Sequence, residues 1–71
     1  MDHALNKARA AEEAGSIKTA IKLYVTVSKK YPNSVFAPEA LYRSGLLYQK
    51  RKEYYKAFQN YQQMVSRYPN T

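Results

Sequence analysis

Apolar residues recur along this chain at the spacing of helix faces. Residues 17–31 carry Ile17, Ala20, Ile21, Tyr24, Val27, Ser28 and Tyr31, the i, i+3, i+4, i+7 stripe of an amphipathic helix. Pro32 stops it, and Asn33-Ser34 are turn residues. A second stripe over 54–68 runs through Tyr54, Ala57, Phe58, Tyr61, Met64, Val65 and Tyr68, and Pro69 stops it. A further helical segment precedes each stripe. The first, about 3–14, places Ala4, Ala8 and Ala11 on one face, with Asp2 as its N-cap. Gly15 ends it, because glycine enters the left-handed region cheaply, and Ser16 caps the helix that follows. The other, about 38–51, starts between Ser34 and Pro38, since proline suits only a helix's first turn. It shows Leu41, Gly45 and Tyr48 on one face and Tyr42 and Leu46 on another. Lys52-Glu53 stands where the first hairpin has its glycine.

The halves are copies. Sliding the chain by 37 residues lays Ala20 on Ala57, Tyr24 on Tyr61, Tyr31 on Tyr68, Pro32 on Pro69 and Asn33 on Asn70. Ile21 with Phe58, Val27 with Met64 and Lys30 with Arg67 are conservative pairs. A period of about 20–50 residues signals stacked supersecondary units, each burying its apolar face against the next. The expectation is an all-α fold of two antiparallel helical hairpins stacked as a short solenoid, repeat 1 over about 1–34 and repeat 2 over about 35–71. Ala8, Gly45, Ala20 and Ala57 are the small residues that let helix axes approach. Large rings fill the space beside them, and Tyr24, Tyr31, Tyr48, Tyr54, Tyr61 and Tyr68 are assigned to the core with hydroxyls at its rim. Leu23 and Val25 add apolar surface to the second helix, whereas their counterparts Asn60 and Gln62 are polar. The second helix is therefore expected to be the more enclosed, with one side of the stack lacking a neighbour. Either self-association or a marginal monomer follows as an expectation, with a dimer preferred.

These residues resemble the tetratricopeptide repeat. The second repeat carries its pattern as Leu41, Gly45, Tyr48, Ala57, Tyr61, Met64 and Pro69, and the first as Ala4, Ala8, Ala11, Ala20, Tyr24, Val27 and Pro32. The first departs at Ala4 and Ala11, where large residues are usual, so its opening helix is expected to be underpacked. The link from Tyr31 to Ala40, a Tyr-Pro-Asn-Ser turn followed by an Ala-Pro-x-Ala helix start, resembles bacterial cell-envelope repeat proteins. Among these are the BamD lipoprotein of the outer-membrane assembly machine and the YbgF-type protein of the Tol–Pal system. The resemblance implies that the solenoid is right-handed and that it is a non-enzymatic interaction module whose first helices line a concave face. It places Leu5, Arg9, Glu12 and Glu13 of the first repeat there, and Tyr42, Leu46, Gln49 and Lys50 of the second. Tyr42 and Leu46 would form an apolar ledge flanked by Arg9, Arg43 and Lys50, suited to a peptide with an apolar anchor and an acidic group. Leu5 and Leu46 stand where the carboxylate clamp of some co-chaperone repeats has polar residues.

Composition narrows the alternatives. Seventy-one residues give one small domain with a thin core. No cysteine is present, so there is neither a disulfide framework nor thiolate chemistry. No apolar run approaches the ~20 residues that span a bilayer, and Asp2, His3, Asn6 and Lys7 interrupt any signal-peptide pattern. The chain stops at Asn70-Thr71, the same point in the repeat as Asn33-Ser34, which is the expected edge of a piece excised from a longer array.

Catalytic and metal chemistry finds no constellation. His3 is the only histidine and has no cysteine to share a metal with. Glu12 and Glu13 are adjacent, so they point to different sides of a helix. Ser28 and Ser44 have no base in view, and two glycines make no phosphate loop. No cofactor is expected.

Net charge is +7. That balance admits an acidic protein, an anionic surface or nucleic acid. Lys18, Lys22, Lys29, Lys50, Arg51, Lys52 and Lys56 are the cations a nucleic acid would use, yet apolar and polar residues interleave them, which argues against one continuous stripe. Three classes stand: an interaction module in an envelope assembly, periplasmic or at the outer membrane; a cytoplasmic repeat adaptor; and a basic nucleic-acid binder. The first is preferred.

Overall fold

The computed structural model describes the backbone of residues 2–69 and the side chains of residues 3–69. It contains four helices in chain order: α1 (Asp2–Glu13), α2 (Ile17–Lys30), α3 (Phe36–Lys50) and α4 (Tyr54–Arg67). No strand occurs among the described residues. Each helix packs chiefly on the one before and the one after it, so the order in space is the order in sequence. The Cα trace measures 31 × 28 × 16 Å. With helix axes about 8–10 Å apart, its thin dimension admits two layers of helices and no third.

Both hairpin turns are built alike. After α1, Ser16 N–H donates to the Ala11 carbonyl at 2.9 Å and Gly15 N–H to that of Glu12 at 3.0 Å. After α3, Glu53 N–H donates to Tyr48 and Lys52 N–H to Gln49, both at 2.9 Å. These are paired Schellman bonds, which need a left-handed residue just past the helix. Gly15 supplies it at φ 83°, and Lys52 supplies it at φ 63° with a β-carbon attached. The longer link is shaped by Ser34, whose hydroxyl accepts the Phe36 N–H and whose carbonyl accepts that of Ala37. α3 therefore begins at Phe36, and Pro38 falls in its first turn, where a missing N–H costs no intrahelical bond. Ser16 occupies the N-cap position of α2, but its side chain makes no cap bond; its carbonyl accepts from Ala20. Asp2 lies within α1, and its expected capping side chain falls outside the described residues.

The core gathers on α2. Ala20, Ile21, Tyr24 and Val27 are buried there with Leu5 and Ala8 of α1 and Ala40 and Leu47 of α3. Ala4 and Ala11 are half-buried against it. α4 buries only Ala57 and Asn60. Asn60, expected on an outer polar flank, turns inward instead. Its amide donates to the Ser44 hydroxyl, which itself donates to the Leu41 carbonyl. The core assignment fails for Tyr54, which opens α4 at 60% exposure, and for Tyr31, which leaves the helix at φ −129° and is 42% exposed. Tyr24 is fully buried, whereas Tyr48, Tyr61 and Tyr68 are half-buried. Phe58 and Val65, counted in the apolar stripe of α4, are 57% and 65% exposed because no described helix lies beyond them.

Candidate protein-interaction surface

The candidate surface grows from α3. Glu39, Tyr42, Leu46, Gln49 and Lys50 fall on one side of that helix by their i, i+3 and i+4 spacing. Tyr42 and Leu46 are 48% and 40% exposed. Tyr42 stacks obliquely on Tyr61 of α4, ring centroids 6.1 Å apart. It also lines a shallow cleft of about 420 Å³ with Val35, Pro38, Glu39 and Met64.

Polar contacts stiffen this face. Tyr61 donates its hydroxyl to Gln49 Oε1 at 2.8 Å, and one period earlier Tyr24 donates to Glu12 Oε1 at 2.7 Å. The bond recurs because the period carries Glu12 onto Gln49 and Tyr24 onto Tyr61. Burial, followed by the hydrogen bond to Glu12 and its charge, pushes the Tyr24 hydroxyl up to about 12. Burial also raises that of Tyr61, with the neighbouring Tyr42 adding to it. Glu39 accepts from Arg43 Nε of its own helix and from Arg9 of α1, each at 2.9 Å. Those two hydrogen bonds, Arg43's the larger, hold its carboxyl below the usual range.

The expected site residues therefore divide. Tyr42, Leu46, Gln49 and Lys50 share one face of α3, and Arg9 is tied to it through Glu39. Arg9 and Arg43 are not free flanking cations, since one carboxylate bridges them. Leu5 does not belong to this surface. It is 2% exposed, in the same buried cluster as Ala40 and Leu47. The cause is position in the stack. Leu5 is the 37-residue counterpart of Tyr42, but Leu5 clusters with Ala40 and Leu47 of the following repeat, and no described helix follows α4 to cover Tyr42 in the same way. Glu12 is likewise occupied by Tyr24. Sequence reasoning missed Val35, Pro38, Glu39 and Met64, which come together only when the start of α3 meets the end of α4.

A second concavity lies between α2 and the α3–α4 turn, with a volume of about 470 Å³. Lys18, Lys22 and Lys29 of α2 line it together with Arg51 and Lys56. Ile21, Val25, Thr26 and Tyr48 interleave them, as expected, yet the five cations still share one concavity. Lys18, Lys22, Thr26 and Lys29 are spaced i, i+4, i+8 and i+11, which is one helix face. Lys50 and Lys52 stay outside that lining.

No group of histidine, cysteine or carboxylate side chains able to hold a metal ion occurs among the described residues, and no described helix is long and apolar enough to cross a membrane. Residues 4–34 and 39–71 each match the family model of the tetratricopeptide repeat. No curated protein and no solved structure matches the chain.

Proposed function

Because the chain belongs to the tetratricopeptide repeat family, whose repeats mediate contact between proteins, we propose that it is a non-enzymatic interaction module that docks a protein or peptide on the Tyr42–Leu46 face of α3. One observation carries the reading: Leu5 is 2% exposed while its counterpart Tyr42 is 48% exposed. A position that one repeat buries under a neighbouring helix is left open in the other. A helix or peptide with an apolar anchor fits there, with Lys50 at the far end of the face for an acidic group. The test is an amide chemical-shift map with amphipathic peptides bearing a C-terminal carboxylate. Shifts at Tyr42, Leu46 and Gln49, abolished by Leu46→Ser, support the site; saturable binding that leaves those signals unmoved removes it.

The setting we propose is a bacterial envelope assembly such as outer-membrane protein assembly or Tol–Pal. Its support is the Tyr31–Ala40 link and its Ala37-Pro38-Glu39-Ala40 helix start. Fractionating source cells tests it; a cytoplasmic pool alone would favour a cytoplasmic adaptor.

Self-association is a second reading with its own observation. Ile21 and Ser28 of α2 are 6% and 4% exposed, whereas their counterparts Phe58 and Val65 on α4 are 57% and 65% exposed. The end of the stack thus repeats an inner packing face, which a second copy can cover.

A further inference from the structure

We propose that the basic groove between α2 and the α3–α4 turn is a second docking site, for an acidic protein segment that carries an apolar side chain. Five cationic residues line it, and its single carboxylate, Glu53, is already paired with Arg51 at 2.6 Å and Lys56 at 3.3 Å. Among the described residues, Lys18, Lys22 and Lys29 make no ion pair, so three positive charges face the groove uncompensated.

The fold does not ask for these lysines. One period later their positions hold Tyr55, Gln59 and Ser66, none of them charged. Lys18 sits in the first turn of α2, where no acidic residue accompanies it and the helix dipole disfavours a cation. Lys18 and Lys22 also repel each other at i, i+4. The helix bears these costs along one face only, and that face lines a cavity.

The lining sets the ligand's chemistry. Ile21, Val25 and Tyr48 give it an apolar floor, which a sugar–phosphate backbone would not use but a leucine-like side chain would. Base stacking needs an open aromatic face. The only ring in the lining, Tyr48, has Lys56 Nζ 5.8 Å above its centroid. Lys18 and Lys29 are about 16 Å apart along the helix at its standard rise, the span of about five extended residues. An acidic stretch of that length with one apolar residue near its middle matches both the charges and the floor. The site is separate from the Tyr42–Leu46 face, so the two can fail independently.

The experiment uses fluorescein-labelled peptides of about nine residues, aspartates and glutamates around a central leucine, titrated with the whole chain at low and physiological salt. The comparison probes are the same peptide with central alanine, its asparagine/glutamine version, and single-stranded oligonucleotides of similar length. The acidic leucine peptide should bind best, weaken as salt rises, and lose about tenfold in affinity to Lys18→Gln/Lys22→Gln/Lys29→Gln. These lysines are exposed, and circular dichroism is the control for folding of the variant. Leu46→Ser should leave this binding unchanged while abolishing binding at the α3 face. Three results overturn the proposal: no binding at millimolar peptide, equal binding by the triple variant, or equal binding of the alanine peptide. Tighter, lysine-dependent binding of an oligonucleotide also overturns it and reassigns the groove to nucleic acid.

Discussion

Gly45 of α3 lies against the ring of Tyr61 of α4 so closely that a β-carbon on it would fall 2.5 Å from Cε1 and 2.9 Å from Cζ. The ring is half-buried and its hydroxyl is held by Gln49, so it has little room to swing away. Alanine normally gains about 1 kcal/mol over glycine inside a helix. Here overpacking, typically about 1–3 kcal/mol, opposes that gain. Gly45→Ala is therefore expected to destabilise by about 1 kcal/mol in urea unfolding. In a Tyr61→Leu background the same change should become neutral or stabilising. Destabilisation of equal size in both backgrounds would show that the ring is not the obstacle.

The two hairpin turns predict opposite responses at equivalent positions. Lys52→Gly relieves a side chain in the left-handed region and should stabilise by about 1 kcal/mol. Gly15→Ala introduces that penalty and should cost about 1–2 kcal/mol, although nothing crowds the site within 4 Å. Thermal melts of both variants check the pair.

Alkaline pH should weaken the fold through Tyr24. Its hydroxyl titrates near 12 when folded, against an ordinary value of 10.0. The folded state holds the proton longer, so this contribution is complete below pH 10 and is lost as pH rises through about 12. Tyr24→Phe should flatten stability over that window. At neutral pH it should cost about 1 kcal/mol for the lost bond to Glu12. Unfolding free energies measured from pH 9 to 12 give the comparison.

Acid acts through Glu39. Its carboxyl is held low, so its stabilising contribution is present above the ordinary glutamate range and disappears as pH falls through the depressed folded value. All three partners are about a third exposed or more, so solvent screening limits the effect to under about 1 kcal/mol. Glu39→Gln should shrink the loss of stability on acidification below the ordinary glutamate range by about that amount.

The open side of α4 should report on itself in sedimentation equilibrium. Dimer is expected to grow with concentration, and Val65→Lys, at an exposed position, should return the chain to monomer. A monomer at every concentration would show that two repeats stand without a cover.

The helices, their order and the period were legible because prolines and turn residues punctuate stripes of helical spacing. Gly45 was legible as a close-approach position, and Ala20 and Ala57 as inward-facing small residues, for the same reason. Leu5, Phe58 and Val65 were not, because a stripe shows which residues share a face but not which face meets a neighbour. The Asn60–Ser44 bond escaped for a related reason. Their first-repeat counterparts are Leu23 and Lys7, so the period gives no hint of a polar contact. The basic groove was hidden because its cations come from segments about 20–40 residues apart in sequence. Only the packing of α2 against α3 draws them together.

Because each helix rests mainly on its neighbours in sequence, the chain can assemble without first closing a long loop. Folding rates fall as contacting residues become more distant in sequence, so this topology belongs with the microsecond-to-millisecond folders. It also imposes a direction. α2 is buried from both sides and α4 from one. α4, which buries only Ala57 and Asn60, is therefore expected to lose amide protection before α2 in native-state hydrogen exchange.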